Sequence, residues 1–266
     1  MATASIAAPA PAAGLDFHYY FKLFLKETRY EFLNRLRLRA YSLSVIGFPV
    51  MFYLIFGIAN RHSEGFHFAR YLLASYSCFG MIGAALFGLG AGIAFERAQG
   101  WLELKQASPM PRLAYLAAKT VSCMVFALII VALLVALAIT VGGVHMTLWE
   151  LIQLIAITLA GALPFASMGL LLALVLPASA APGIINLIYL PMSFCSGLWM
   201  PIQALPHFLQ RIAPLLPTYH YAQLALGIFG YAQPGSTLLH WDALIGFTCI
   251  MLGTAWLLFT RMNADA

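Results

Sequence analysis

The reactive side chains in this sequence are few, and their spacing suits no catalytic chemistry. The four cysteines, Cys78, Cys123, Cys195 and Cys249, each lie inside an apolar run, outside any C-x-x-C or Cys/His ligand pattern. That setting reads as small buried thiols. His62, His67, His145, His207, His220 and His240 fall in or beside weakly charged connections, without an H-E-x-x-H pair or a carboxylate cluster. They read as satisfied interfacial histidines, with a metal site as the other reading. His145, Glu150 and Asp242 are the only loose set that would suit a lipid-modifying enzyme. No nucleotide-binding P-loop is present, because Lys119-Thr120 follows two alanines where such a loop requires glycine. Neither a catalytic residue nor a metal ligand set is expected. Proton-coupled carriers usually keep ionisable relays within their spans, and none lies deep in an apolar run here.

What remains is a chain suited to lipid. Hydrophobic residues make up 62% and charged residues 9% of its 266 positions, with a mean hydropathy of +0.88. Arg211 is the one charged side chain between Glu150 and Asp242, where a soluble domain would spread many. Crossing a hydrocarbon core of about 30 Å takes roughly 20 apolar helical residues. Six runs are expected to do so, at 41–59, 71–95, 116–142, 151–176, 184–200 and 243–260. The expected fold class is therefore all-α integral membrane, with six transmembrane helices. Residues 1–15 are Ala/Pro-rich without periodicity and read as a disordered tail, leaving 16–266 as one transmembrane domain. The net charge of +5 does not indicate nucleic acid, since the basic residues flank the apolar runs.

Lysine and arginine set the orientation. Eleven fall in the N-terminal segment, the loop after the second run and the C-terminal tail, against three (Arg61, Arg70 and Arg211) in the alternate connections. The positive-inside rule then places both termini in the cytoplasm.

Three regions lie outside the runs. In residues 16–39, Phe17, Phe21, Phe24, Leu25, Thr28, Phe32 and Leu36 recur at spacings of three and four, while Lys22, Lys26, Arg29 and Glu31 fall mostly on other faces. This predicts an amphipathic helix in the cytoplasmic interface, in contact with membrane lipids. Whether it is only an anchor or also touches a partner stays open. Residues 96–112 read ERAQGWLELKQASPMPR. Gly100 can end the preceding helix, residues 101–107 can form a short one, and Pro109 and Pro111 forbid its continuation. A docking knob, with Leu102 and Leu104 in an apolar groove and Glu103 and Lys105 setting register, and an ordinary solvated loop are equal readings. Residues 201–241 hold one Arg and no acid before Trp241, and prolines divide them. Short re-entrant helices, packed against protein, are expected before the last span.

These stretches resemble ABC-2-type ABC transporter permeases. The loop 95–119 is similar to that family's cytoplasmic loop through Glu96-Arg97, Gly100, Leu102-Glu103-Leu104, Ser108-Pro109 and Arg112. Residues 196–227 are similar to its Ser-Gly, Pro, Leu-Pro and Pro-x-x-Tyr pattern near the C terminus. The resemblance implies a bacterial inner-membrane exporter of the compact drug, lipid or lipo-oligosaccharide kind. Two permease subunits, here a homodimer, would work with two cytoplasmic ABC ATPase subunits. ATP and Mg would bind the partner ATPase, with no cofactor in this chain. The partner-binding coupling helix and its flanks would be Glu96, Arg97, Gly100, Trp101, Leu102, Glu103, Leu104, Ser108 and Pro109. Phe17, Phe21, Lys22, Lys26, Arg29 and Phe32 would belong to the interfacial helix at the same junction.

The polar groups of the fifth run, Asn186, Tyr189, Ser193 and Ser196, form a candidate pathway wall. A membrane amide such as Asn186 is either structural glue between helices or a substrate contact. So apolar a wall suits an amphipathic or lipidic solute. The competing functions are an ion-gradient-driven secondary transporter and an integral-membrane lipid-modifying enzyme.

Overall fold

The computed structural model describes residues 17–59, 67–101 and 111–264. Among these every regular element is helical. Helix α1 (Phe17–Arg37) runs into α2 (Arg39–Phe52), which ends in a π-helical turn, Tyr53–Ile58. Helix α3 (Phe68–Ala85) passes through a second π-helical turn, Leu86–Ala91, into α4 (Gly92–Ala98). Then follow α5 (Arg112–Thr140), α6 (Leu148–Ala160), α7 (Ala162–Val175) and α8 (Ala181–Cys195). Short helices α9 (His207–Ile212) and α10 (Pro217–Ile228) precede the long α11 (Thr237–Ala264).

Five segments are long and apolar enough to cross a bilayer: Arg39–Ile58, Phe68–Ala98, Leu113–Thr140, Leu148–Val175 and Thr237–Arg261. They match five of the six expected runs. The sixth, α8, has 15 residues. At 1.5 Å per residue it is about 22 Å long, short of the hydrocarbon core by itself. Its end is set by Gly197, whose φ of +79° lets the chain turn at once into the following loop.

Helix α3 is the centre of the bundle. Nearly every side chain from Ala69 to Ala85 is buried, whereas most of Thr237–Arg261 is not. Leu72, Leu73, Tyr76, Phe79, Met81 and Ile82 are completely covered. Small residues bring neighbouring helices close, as in membrane proteins generally. A methyl group on Gly80 would stand 2.8 Å from Ile130 Cγ2 of α5. The peripheral helices keep large apolar side chains outside, among them Leu43, Leu113, Leu187 and Trp256. Such a surface is stable only against lipid or other protein.

The loop before the last helix is divided as its prolines suggest. Pro206, Pro214 and Pro217 each sit at the start of a short helix. Helix α10 is buried against α3, α6 and α11, not exposed as an ordinary loop would be. The Tyr221 hydroxyl donates to Thr158 O at 2.8 Å, and the Tyr221 ring fills the space that a side chain at Gly161 would need. Ser196 and Thr218 share a hydrogen bond that ties α8 to α10. His220 Nδ1 lies 2.9 Å from His240 Nδ1 of α11, and His220 Nε2–H donates to Pro214 O at 2.9 Å.

Candidate functional site

Two connected features stand out, a groove and an ionic cluster at its end. The groove has a volume of about 490 Å³ and runs between α2, the α3–α4 helix and α8. The π-helical turn Leu86–Ala91 forms part of its wall, presenting Phe87, Gly88 and Ala91. Phe48 and Phe52 of α2 face it from one side, Pro182, Asn186 and Tyr189 of α8 from another, and Trp199 closes the far end.

Only part of the expected pathway wall reaches this space. Asn186 and Tyr189 line the groove. Tyr189 also ties two helices, since its ring stacks on Phe79 with centroids 4.7 Å apart and its hydroxyl donates to Phe79 O at 2.7 Å. Ser193 and Ser196 are buried away from the groove. Ser196 donates to Met192 O at 2.6 Å and belongs to the α8–α10 junction. A helix turns its side chains by 100° per residue, so four polar groups spread over eleven positions need not share one face.

The ionic cluster joins three elements. Lys119 of α5 is completely buried and reaches Glu31 of α1 at 2.8 Å and Glu96 of α4 at 2.6 Å. The Tyr115 hydroxyl donates to the other oxygen of Glu96. Arg35 lies 3.6 Å from Glu31 across one helical turn and donates to Cys123 Sγ at 3.6 Å. Two carboxylates thus face two cations, which is the condition for keeping charges in a low-dielectric interior. Nothing in local sequence pattern paired these residues. The available signal was a lysine, Lys119, inside an otherwise apolar run.

Glu96 and Arg97 therefore root the loop within this chain. Arg97 donates to Leu174 O at 2.7 Å and Leu176 O at 2.8 Å, capping the C-terminal end of α7. Gly100 has a φ of +71° and ends the helix, as its position suggested, and Trp101 beyond it is 46% exposed. Leu102, Glu103, Leu104, Lys105, Ser108 and Pro109 lie outside the described residues, as do His62 and residues 1–16.

Helix α1 packs only part of its apolar stripe. Phe21, Leu25 and Leu36 of the apolar stripe are exposed, whereas Glu31 and Arg35 are buried. The inward face is mixed: Phe24, Thr28 and Phe32 of the stripe are half-buried there beside Glu31 and Arg35, which meet the buried Lys119 and its cluster. Phe32 sits at the shared edge, its ring 5.2 Å from Phe126. Lys22, Lys26 and Arg29 are exposed, and Phe17 begins the helix.

The loose enzyme set does not converge. Glu150 accepts from Thr147 N at 2.7 Å in a capping box and pairs with Arg70. His145 and Asp242 are exposed elsewhere. The four cysteines are free thiols, but Cys195 is half-buried and Cys249 exposed, since α11 turns that face outward.

The comparisons agree with this architecture. Residues 23–229 match the family described as ABC-2 type transporter. The chain is also 28% identical over 199 residues to the "Putative transport permease YvfS" of Bacillus subtilis (strain 168), covering 74% of this chain and 81% of that protein. The family match spans the charge-clamped loop root, the groove and the buried short helices together, and on it the chain belongs to the ABC-2 type transporters.

Proposed function

We propose that this chain is the membrane-spanning permease subunit of an ATP-driven exporter, moving an amphipathic or lipid-like solute out of the cytoplasm. It would act with a second copy of itself and two cytoplasmic ATPase subunits, which would bind ATP and Mg. Both termini and the 96–112 loop would face the cytoplasm, with α1 in the interface and α9–α10 entering the opposite leaflet. The bilayer would be a bacterial inner membrane.

The observation that carries this reading is the mechanical continuity from loop to groove. Glu96 and Arg97 fix the loop root to α1, α5 and α7, and Gly88, Ala91 and Gly92 of the same helix line the groove. A push on the loop would be passed to the groove wall through a rigid helix, because packed elements shift as units. The wall is mostly aromatic and aliphatic, which suits a solute with a large apolar part.

Two substitutions test the coupling. Glu103→Lys reverses a charge in the proposed docking segment. Gly100→Val forces a β-branched residue to a positive φ, where it costs more than about 1 kcal/mol. Either variant, reconstituted with its ATPase, is expected to lose at least about tenfold in transport per ATP hydrolysed while inserting normally. Transport unchanged in both variants, or transport driven by a proton gradient without any ATPase, would overturn the assignment.

A further inference from the structure

The geometry points to an anionic amphiphile of the surrounding leaflet as the occupant of the groove, with its acidic head group on Arg35. The inference rests on the permease reading, for which it names the class of solute. Arg35 is 5% exposed and lines one end of the groove. A guanidinium does not lose its proton in proteins, so a full charge sits there. Within the charge-balanced cluster its own contacts are long or neutral. Nη1 donates to the sulfur of Cys123 at 3.6 Å, and Tyr41 offers its hydroxyl and a ring face 5.8 Å away. Glu31 is 3.6 Å from Nη2 and is held more closely by Lys119, at 2.8 Å. Nη2 itself is buried without a hydrogen-bond acceptor. A carboxylate or phosphate oxygen is the acceptor such a nitrogen binds most strongly.

The surroundings select the rest of the ligand. Gly88 and Gly92 let the guanidinium lie directly against the groove wall, a methyl group on Gly92 coming within 3.3 Å of Nη2. Among the described residues no carboxylate lines the groove, which disfavours a cationic head. From Arg35 the walls become apolar through Phe87, Phe48 and Phe52 to Trp199. From Gly92, beside Arg35, to Phe79 the wall spans about 20 Å at helical rise, the length of an extended acyl chain rather than of a small ion. Leu38, Phe48 and Leu190 on the groove's lips are exposed, which opens the groove sideways to lipid.

Trp199 provides the readout. The full-length chain, with Trp101, Trp149, Trp241 and Trp256 replaced by Phe, is placed in phosphatidylcholine vesicles containing increasing dibrominated phosphatidylglycerol or, separately, dibrominated phosphatidylcholine. The anionic lipid should quench Trp199 at a mole fraction about tenfold lower than the zwitterionic one, the size expected for one charge-assisted hydrogen bond. Arg35→Gln should abolish that difference, Arg35→Lys should keep part of it, and Arg211→Gln, an exposed cation outside the groove, should leave it intact. Equal quenching by the two lipids in the unsubstituted groove overturns the inference, and this comparison stands even if Arg35→Gln does not fold. Quenching by neither lipid, with Ser44→Cys cross-linking between two copies, also overturns it, since a second copy then covers the groove. Because binding needs no ATPase, a preserved head-group preference beside failed coupling would sink the exporter reading alone.

Discussion

Lys119 is where removal of a single side chain should cost most. It is completely buried between Glu31 and Glu96. Lys119→Met leaves two carboxylates without their cation, and breaking a buried pair in this way typically costs about 3–5 kcal/mol. Thermal unfolding in detergent should show a clear drop in Tm, with most of it recovered when Glu31→Gln and Glu96→Gln are added. A Tm unchanged by Lys119→Met would mean the cluster is not closed. Gly88 is the second sensitive position. A methyl group there would fall 2.1 Å from Arg35 Nη1 and 2.6 Å from Cys123 Sγ, whereas Gly47 has nothing within 4 Å. Gly88→Ala should therefore destabilise by about 1–3 kcal/mol as Arg35 is displaced, and Gly47→Ala should cost nothing measurable. The same thermal assay separates the two.

Among the elements, α10 depends most on specific packing. It is a 12-residue helix buried on three neighbours, with the Tyr221 ring against Gly161 and its hydroxyl on Thr158. Tyr221→Phe removes one hydrogen bond and should cost about 1 kcal/mol, while Tyr221→Ala opens a cavity and should cost about 3–5 kcal/mol. Hydrogen exchange over 217–228 should rise little in the first variant and strongly in the second. Equal protection in both would show that α10 is held by its other polar ties, such as the Gln223 side-chain Oε1 accepting from Gln233 N at 2.7 Å, and not by the ring. Helix α1 presents the opposite case. Its inward face combines Glu31 and Arg35 with half-buried Phe24 and Phe32, and its outward face carries Phe21 and Leu25 beside Lys22, Lys26 and Arg29, so ion pairs and apolar packing both hold it while the outer side suits a lipid interface.

For the whole molecule, the orientation is the outcome to check first. In a background without native cysteines, a cysteine replacing exposed His18 should react with a membrane-impermeant maleimide only from the cytoplasmic side, and one replacing exposed Gln203 only from the other. Labelling of both from one side would invert the charge argument. Much of this plan was legible in the amino-acid order alone. Five apolar runs, the helix stop at Gly100 and the proline-divided loop before the last helix follow from hydropathy and backbone chemistry, which act within a few residues. The motifs at 95–119 and 196–227 likewise carried the family resemblance together. Three things belonged to tertiary structure. Glu31 and Lys119 are 88 positions apart, His220 and His240 are 20, and only packing brings each pair together. That Glu31 and Arg35 join the inward face of α1 was decided by the buried Lys119 they meet there. Which polar groups of α8 see the groove was decided by the helix's rotation against Phe79 and Thr218. Hydropathy determines that a segment leaves water, but charge pairing and shape between distant segments determine what it then touches.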